Sequence, residues 1–374
     1  MFGFCGCLDF GRGVAELSAL KKMSGLYGVG CAFINKEYGI LCDGVNELSD
    51  TSLQPVTVSY NNSLYTAAVV CDGRASANGS VSRAVLEGYL EEGDEYIRRL
   101  DFPYALALYD GRCGELLLAK GHTGDKPLFY TMKDGAVYFA SSLRPLIRLY
   151  GGCVRVNKAV LLAHLGGAFG TMPEGLFFDI KPLKVGYSLL CTRLGQSVVP
   201  TLQGVYPFEG TGGMKGDAVA LSYTRDVRRT LTDALFAFGY PQFDCYMPSV
   251  AEYLDAAKTQ GIKRVCMQDR VLEISEEYSA ERADRLGALF GVEITAVSPE
   301  DTRMSKRALK SMERELDAIL SEYMSAPNCI LHRLSVSELI KRADEEKSIP
   351  LRIRKKSMLC QTAMWFESFD LVLI

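Results

Sequence analysis

Twelve cysteines and three histidines are the residues best suited to nucleophilic or metal chemistry in this 374-residue chain, and their spacing argues against most of it. His122, His164 and His332 are far apart, and the cysteines run from Cys5 to Cys360 without tight clustering, so neither a zinc signature nor a disulfide framework is expected. Only Cys5 and Cys7 are close together. Both fall in MFGFCGCLDF, an alternating apolar run that reads as a strand, and each carries an ordinary peptide nitrogen; they are expected as reduced, buried packing thiols. Asp244 and Asp269 stand in or just beyond presumed strands, where open α/β sheets bind ligands, although strand ends are also ordinary loop positions. The basic run Arg352-Ile353-Arg354-Lys355-Lys356 could touch phosphates but is expected as a solvated face.

The elements that would position these residues change character along the chain. Residues 100–146 read as a β-meander: strands at Tyr104–Tyr109, Glu115–Lys120, Leu128–Tyr130 and Ala136–Ala140, with turns at Asp110-Gly111 and Lys133-Asp134-Gly135. Loops this short force antiparallel pairing. Further strands are expected at 30–34, 39–42, 56–60 and 64–71, and helices at 14–23 and 82–92. Asn157 is placed to cap a helix over Lys158–Leu165. The first part of the chain is therefore expected to be an α+β sandwich of antiparallel sheets with helices outside.

Pro207–Gly216, PFEGTGGMKG, is a Gly-rich linker. Beyond it, helices at 221–238, 249–258, 279–290 and 304–323 alternate with strands at 243–247, 264–267 and 292–297, the pattern of an α/β parallel sheet. Length favours two domains, here 1–206 and 217–374 joined by 207–216. A net charge of -3 and a pI near 5.8 provide no footprint for nucleic acid or anionic membrane. The apolar runs are shorter than a membrane span and the N-terminus lacks a signal-peptide pattern, so a cytoplasmic location is expected.

The meander reads ALALYDGRCGELLLAKGHTGDKPLFY followed by YFASS. It resembles the glutamine-amidotransferase domain of the asparagine synthetase family, keeping Gly124, Lys126, Pro127 and Leu128 and departing at Lys120, His122 and Asp125. Phe169-Gly170, Pro173, Phe177, Ile180-Lys181-Pro182-Leu183 and Gly186-Tyr187 continue in that family's order, and YSAERADRLGALFGVEITAVSPED resembles a segment of its second domain. The resemblance implies an Ntn-hydrolase-like sandwich followed by a truncated, adenine nucleotide α-hydrolase-like α/β domain.

It also implies chemistry that these residues do not supply. The family's nucleophile is a cysteine with a free α-amino group as its base. Phe2 occupies that position, and Cys5 or Cys7 would serve only after cleavage before one of them. The family's Asn-Gly-Glu oxyanion and glutamine site corresponds to Asp72-Gly73-Arg74, where a carboxylate opposes the developing negative charge, so Asp72 and Gly73 read as vestigial substrate-binding residues. Glu47 stands at the family's glutamine-carboxylate arginine, and its acidic ligand for the α-amino group falls near Ser82. The Ser-Gly-Gly-x-Asp-Ser pyrophosphate loop is replaced by Tyr246-Met247-Pro248-Ser249, leaving Ser249 as a vestigial nucleotide-binding residue at a helix start. Asp110 and Lys126 are expected as turn-forming and sheet-pairing residues.

The sequence thus reads as a pseudoenzyme, a binding or assembly protein with no cofactor. Two alternatives stand: an active ATP-dependent amidotransferase or asparagine synthase with a rearranged site, which would need ATP and Mg, and a sensor of an amino acid or nucleotide. A homodimer or an active homologous enzyme is the expected partner. The apolar end Phe369–Ile374 would suit such a contact, but packing against its own domain is the expected role.

Overall fold

The computed structural model describes residues 3–9, 17–24, 29–43, 55–71, 81–100, 102, 104–121, 126–166, 175–184, 186–192, 195–200, 227–241, 264–268, 293–297, 306–369 and 371–374. The chain divides into two compact units, Met1–Tyr150 with Asp179–Thr211, and Gly151–Phe178 with Gly212–Ile374.

The first unit is built on two six-stranded sheets. One contains β1 (Phe4–Leu8), β2 (Val29–Ile34), β3 (Tyr38–Asp43), β8 (Phe129–Lys133), β9 (Ala136–Ala140) and β11 (Lys181–Pro182), in the order β11-β8-β9-β1-β3-β2. The other contains β4 (Val56–Tyr60), β5 (Ser63–Cys71), β6 (Tyr104–Asp110), β7 (Glu115–Lys120), β12 (Tyr187–Thr192) and β13 (Gly195–Pro200), in the order β13-β12-β7-β6-β5-β4. Every strand pair in both sheets is antiparallel, as the short turns require. At Asn61-Asn62 and Asp134-Gly135 both central residues have positive φ, the twist that closes a two-residue hairpin.

Period-two alternation makes the layers. In β6, Ala105, Ala107 and Tyr109 face the opposite sheet, while Tyr104, Leu106 and Leu108 face outward. The inner layer joins them to Phe4, Leu8, Tyr38, Ile40, Phe139 and Leu189; the outer layer joins the second set to Val81, Val85 and Leu86 of α2 (Val81–Glu92) and Ile97 of α3 (Asp94–Arg98). Against the other sheet pack α1 (Leu17–Ser24) and α4 (Leu143–Tyr150), giving helix, sheet, sheet, helix.

The second unit has β10 (Val154–Val156), α5 (Lys158–Leu165), α6 (Val227–Phe238), β14 (Arg264–Gln268), β15 (Glu293–Val297), α7 (Lys306–Ser325), α8 (Ile330–Leu334), α9 (Ser337–Asp344), α10 (Ile349–Phe369) and β16 (Leu371–Leu373). Asn157 caps α5 as expected, its side chain accepting from Ala159 N–H at 3.0 Å and Val160 N–H at 3.3 Å. β14 and β15 pair in parallel. The expected strand 243–247 and helices 249–258 and 279–290 lie outside the described residues.

Two findings differ from the sequence reading. Residues 151–178 belong to the second unit rather than to a first domain ending at 206, because β10 pairs in parallel with β16, residue Val154 with Leu371 through Val156 with Leu373. Residues 371–374 pack against their own unit, the explanation favoured from the sequence: Ile374 N–H donates to Val156 O at 3.0 Å and Lys158 N–H to Ile374 O at 2.9 Å. The second concerns the basic run, which is no solvated face. It opens α10, whose residues 356–365 are all buried. Lys356 reaches Asp317 at 2.6 Å and Asp344 at 2.9 Å, Arg352 reaches Glu313 at 2.6 Å, and Lys355 reaches Glu346 at 2.9 Å, tying α10 to its neighbours through matched charges.

The inner layer of the first unit rests on Phe139, which is fully buried and whose Cζ would lie 2.4 Å from a Cβ added at Gly6. Phe139→Ala is expected to destabilise that unit by roughly 3–5 kcal/mol, read as a lowered urea midpoint. An unchanged midpoint would show that the sheets are not held together at this ring.

Candidate functional site

The two sheets of the first unit share their ends, and this defines a rim. Tyr38, where β3 begins, stacks on Tyr109, near the end of β6, with ring centroids 4.5 Å apart and planes 3° apart. The opposite ends must then coincide as well: the start of β1 and the ends of β3 and β9 in one sheet, the ends of β5 and β7 and the start of β6 in the other. The chain itself crosses there, from Pro182 beside Phe129 to Tyr187, with Leu183 N–H donating to Leu128 O at 2.8 Å and Gly186 N–H to Gly121 O at 3.1 Å.

Three features come to this rim. The first is the start of β1, held by a residue 137 positions away: Phe4 N–H donates to Ser141 Oγ at 2.9 Å, and Ser141 N–H returns to Phe4 O at 2.9 Å. Ser141 belongs to the FASS string, so the string was visible in the sequence but its clamping role was not. The second is the end of β7 and the approach to β8, where Lys120 and Lys126 are both buried. The third is the first turn of α2. Tyr89 O–H, late in that helix, donates to Asp110 Oδ2 at 3.3 Å at the far end of the sandwich, so the helix starts at the near one.

Ser82, in that first turn, is fully buried, and its Oγ has no hydrogen-bond partner. Such an orphaned hydroxyl costs about 1–3 kcal/mol.

Cys5 and Cys7 lie inside β1, paired with β3 on one side and β9 on the other, and both are buried. Burial, followed by the nearby charges of Asp9 and Cys5, pushes the Cys7 thiol up to about 12. The Cys7 nitrogen is a peptide amide within a strand paired on both sides. Asp110 forms a turn, as expected: its Oδ1 accepts from Arg112 N–H at 2.8 Å and Cys113 N–H at 3.3 Å. Phe2, Glu47, Asp72, Gly73, Arg74, Asp244, Ser249 and Asp269 lie outside the described residues; their described neighbours Gly3 and Cys71 stand at the start of β1 and the end of β5.

With this geometry in place, comparison with known proteins narrows the reading. Residues 58–208 match the glutamine amidotransferase domain family. Asparagine synthetase 3, glutamine-hydrolyzing, of Bacillus subtilis (strain 168) is 24% identical over 148 residues, 38% of this chain and 24% of the relative. Residues 58–208 are thus similar to a glutamine amidotransferase domain, and part of the chain is similar to an asparagine synthetase. The match spans about a quarter of the relative's length. Two solved structures are similar over 83% of this chain. The allosteric regulatory enzyme of purine biosynthesis has 11% identity, a TM-score of 0.39 and 69% of its own chain covered. Glutamine phosphoribosylpyrophosphate amidotransferase from B. subtilis, complexed with ADP and GMP, has 10% identity, a TM-score of 0.38 and 70% covered. The matched residues include β5, β6 and β7, three of the strands that form the rim.

In the second unit, a cleft of about 350 Å³ is lined by Asp317, Leu320, Ser321, Met324, Ile340, Asp344 and Lys356. Its charges already satisfy one another through the Lys356 ion pairs. Among the described residues no group of three or more His, Cys, Asp or Glu is arranged to hold a metal ion, and no helix is long and apolar enough to cross a membrane.

The buried thiols make stability depend on alkaline pH. Cys7 and Cys191 are each raised from 9.0 to about 12, mainly by burial. Between those values the unfolded chain has lost protons that the folded chain keeps, so stability falls as pH rises, by about 1.4 kcal/mol per pH unit for each thiol. Cys7→Ala is expected to flatten this fall in urea titrations at pH 8, 9.5 and 11. In the native protein at pH 8, maleimide should label exposed Cys113 and Cys153 and spare Cys5, Cys7 and Cys191; prompt labelling of Cys7 would refute the burial argument.

Proposed function

We propose that this chain is a non-catalytic asparagine synthetase-like protein whose amidotransferase scaffold serves binding or assembly. The observation that carries this reading is the state of β1. Its cysteines are interior, paired on both sides and buried, and the residue before Gly3 is Phe2, whose side chain has no nucleophile. Glutamine hydrolysis by this domain type needs a sulfur nucleophile at the strand entrance together with a free amine to take its proton, and neither cysteine offers both.

The remaining substitutions support the same reading. Asp72 brings negative charge where a donor is needed, Glu47 stands where a carboxylate ligand would meet an arginine, and Ser82 replaces an acid. In the second half the Pro248-Ser249 junction lacks the glycines that would let backbone amides surround a pyrophosphate. This reading calls for neither ATP nor Mg. The partner it implies is a second copy of the chain or an active homologous enzyme. The Ntn-hydrolase and adenine nucleotide α-hydrolase relationships of the two halves belong to this proposal as well.

Two assays on the full chain test it: release of glutamate from glutamine, and ATP–pyrophosphate exchange with aspartate present. Both are expected at the rate of the buffer blank. Glutamine turnover well above the blank and abolished by Cys5→Ala or Cys7→Ala, together with a mature N-terminus opening on that cysteine by mass spectrometry, would sink the proposal.

A further inference from the structure

Each six-stranded sheet of the first unit ends on two edge strands, and an edge strand offers unpaired N–H and C=O groups along one side. Among the described residues, three of the four edges carry a feature that hinders further pairing. β11 is two residues long and includes Pro182. β2 has its register broken by a bulge between Val29 and Cys31. β13 ends on Pro200, which has no N–H to give. The fourth edge, β4, has none of these. Its residues Val-Thr-Val-Ser-Tyr pair with β5 without interruption, from Val56 against Ala67 to Tyr60 against Ser63, and on the other side no described strand joins it.

The side chains of β4 leave that edge open as well. Charged residues commonly guard edges, yet none occurs between Asp50 and Asp72. Val56 is buried and Val58 half-buried in the outer layer that includes α2, so the strand is held from that face and by β5. Thr57, Ser59 and Tyr60 are exposed. The Tyr60 ring, 48% exposed, stands edge-on to Tyr65 with centroids 6.5 Å apart, and Leu64 on the neighbouring strand is 46% exposed. Two large apolar side chains are thus uncovered at one end of a strand made of β-branched, hydroxyl and aromatic residues.

The order of those residues shows what fits the edge. Two copies of β4 running antiparallel about a twofold axis at Val58 are self-complementary. Val58 then faces its own equivalent, Val56 faces Tyr60, and Thr57 faces Ser59, so apolar meets apolar and hydroxyl meets hydroxyl. An axis perpendicular to the sheet also keeps the two faces in register, because residues directly opposite lie on the same face. With no charge of either sign on the strand, identical edges do not repel, and nothing on it would steer in a charged foreign strand.

We propose that β4 is the surface through which a second copy of this chain pairs, joining the two six-stranded sheets into one by antiparallel contact centred on Val58. This names a surface for the self-assembly put forward under the proposed function and rests on that half of the reading. Catalysis does not enter it, so an active dimer and an inactive monomer would tell the two failures apart.

The full chain is tested by sedimentation velocity from low to high micromolar concentration, where a reversible monomer–dimer equilibrium is expected. Thr57→Lys combined with Ser59→Lys sets like charges opposite each other twice across the axis and is expected to weaken the dimer by about tenfold, as is Thr57→Glu combined with Ser59→Glu. An equimolar mixture of the two doubly substituted chains, each shown by circular dichroism to be folded, is expected to recover it. Register is read by cross-linking in a Cys113→Ser, Cys153→Ser background, which removes two exposed thiols. Under copper–phenanthroline oxidation Val58→Cys is expected to give a disulfide-linked dimer and Tyr60→Cys is not. A monomer at every concentration overturns the proposal, including one that binds a fluorescent Thr-Val-Thr-Val-Thr peptide, since the edge would then serve a foreign strand. A dimer unchanged by both charged pairs, or equal cross-linking at the two positions, overturns it as well, since the copies would then meet elsewhere or in another register.

Discussion

The first unit depends on a mismatch of side-chain size between two facing sheets. The inner face of the sheet that contains β6 is lined at its centre by Ala68, Ala105 and Ala107, whereas the opposite sheet projects Phe4, Tyr38 and Phe139. Small residues on one side leave depth for rings on the other, and Gly6 gives Phe139 room from beneath. Tyr38 lies 4.5 Å from Tyr109 and 6.2 Å from Phe139, both near parallel, so the rings form a stack through the middle of the sandwich. Its hydroxyl has no hydrogen-bond partner, a cost accepted for the ring's packing. The layer fixes the relative placement of the sheets, and hence of every loop at their ends.

Much of this was legible from the residues. β6 and β7 alternate because each strand is buried on both faces by different layers; the Asp110 side chain closes the turn between them, and Asp134-Gly135, both with positive φ, closes the turn between β8 and β9. α7 shows its stripe of Leu309, Met312, Leu316 and Ile319 because only one side of it is covered. α10 was illegible for the opposite reason. Its ten consecutive buried residues include Lys356, Ser357, Gln361 and Thr362, each with a partner inside the protein, so no stripe separates a wet face from a dry one. Charge in that stretch signals ion pairing with other helices, and composition alone cannot distinguish this from solvent exposure. The pairing of β10 with β16 was hidden because a parallel partner some two hundred residues away leaves no local trace.

The candidate site divides in the same way. The strand that would carry a nucleophile, its clamp by Ser141 and the turn at Asp110 are scaffold, and apolar alternation and turn chemistry made most of them readable. A hydroxyl left over in a packed layer has no sequence signature, since a buried serine with a partner and one without are spelled alike. The two requirements are physically separable. Layers demand only the right sizes at the right parity, while hydrolysis demands a particular atom at a particular end. A chain can therefore keep the first after losing the second.

The interleaving of the two units has a consequence for synthesis. Neither unit is a continuous stretch: the first resumes at Asp179 after the excursion from Gly151 to Phe178. On a ribosome, β10 emerges some two hundred residues before its partner β16. At about 5–20 residues per second, that strand waits on the order of 10–40 s with an unpaired edge. Over that interval the nascent chain presents a docking edge to chaperones, and a fusion junction placed near residue 206 would cut across a partnership that the finished protein requires.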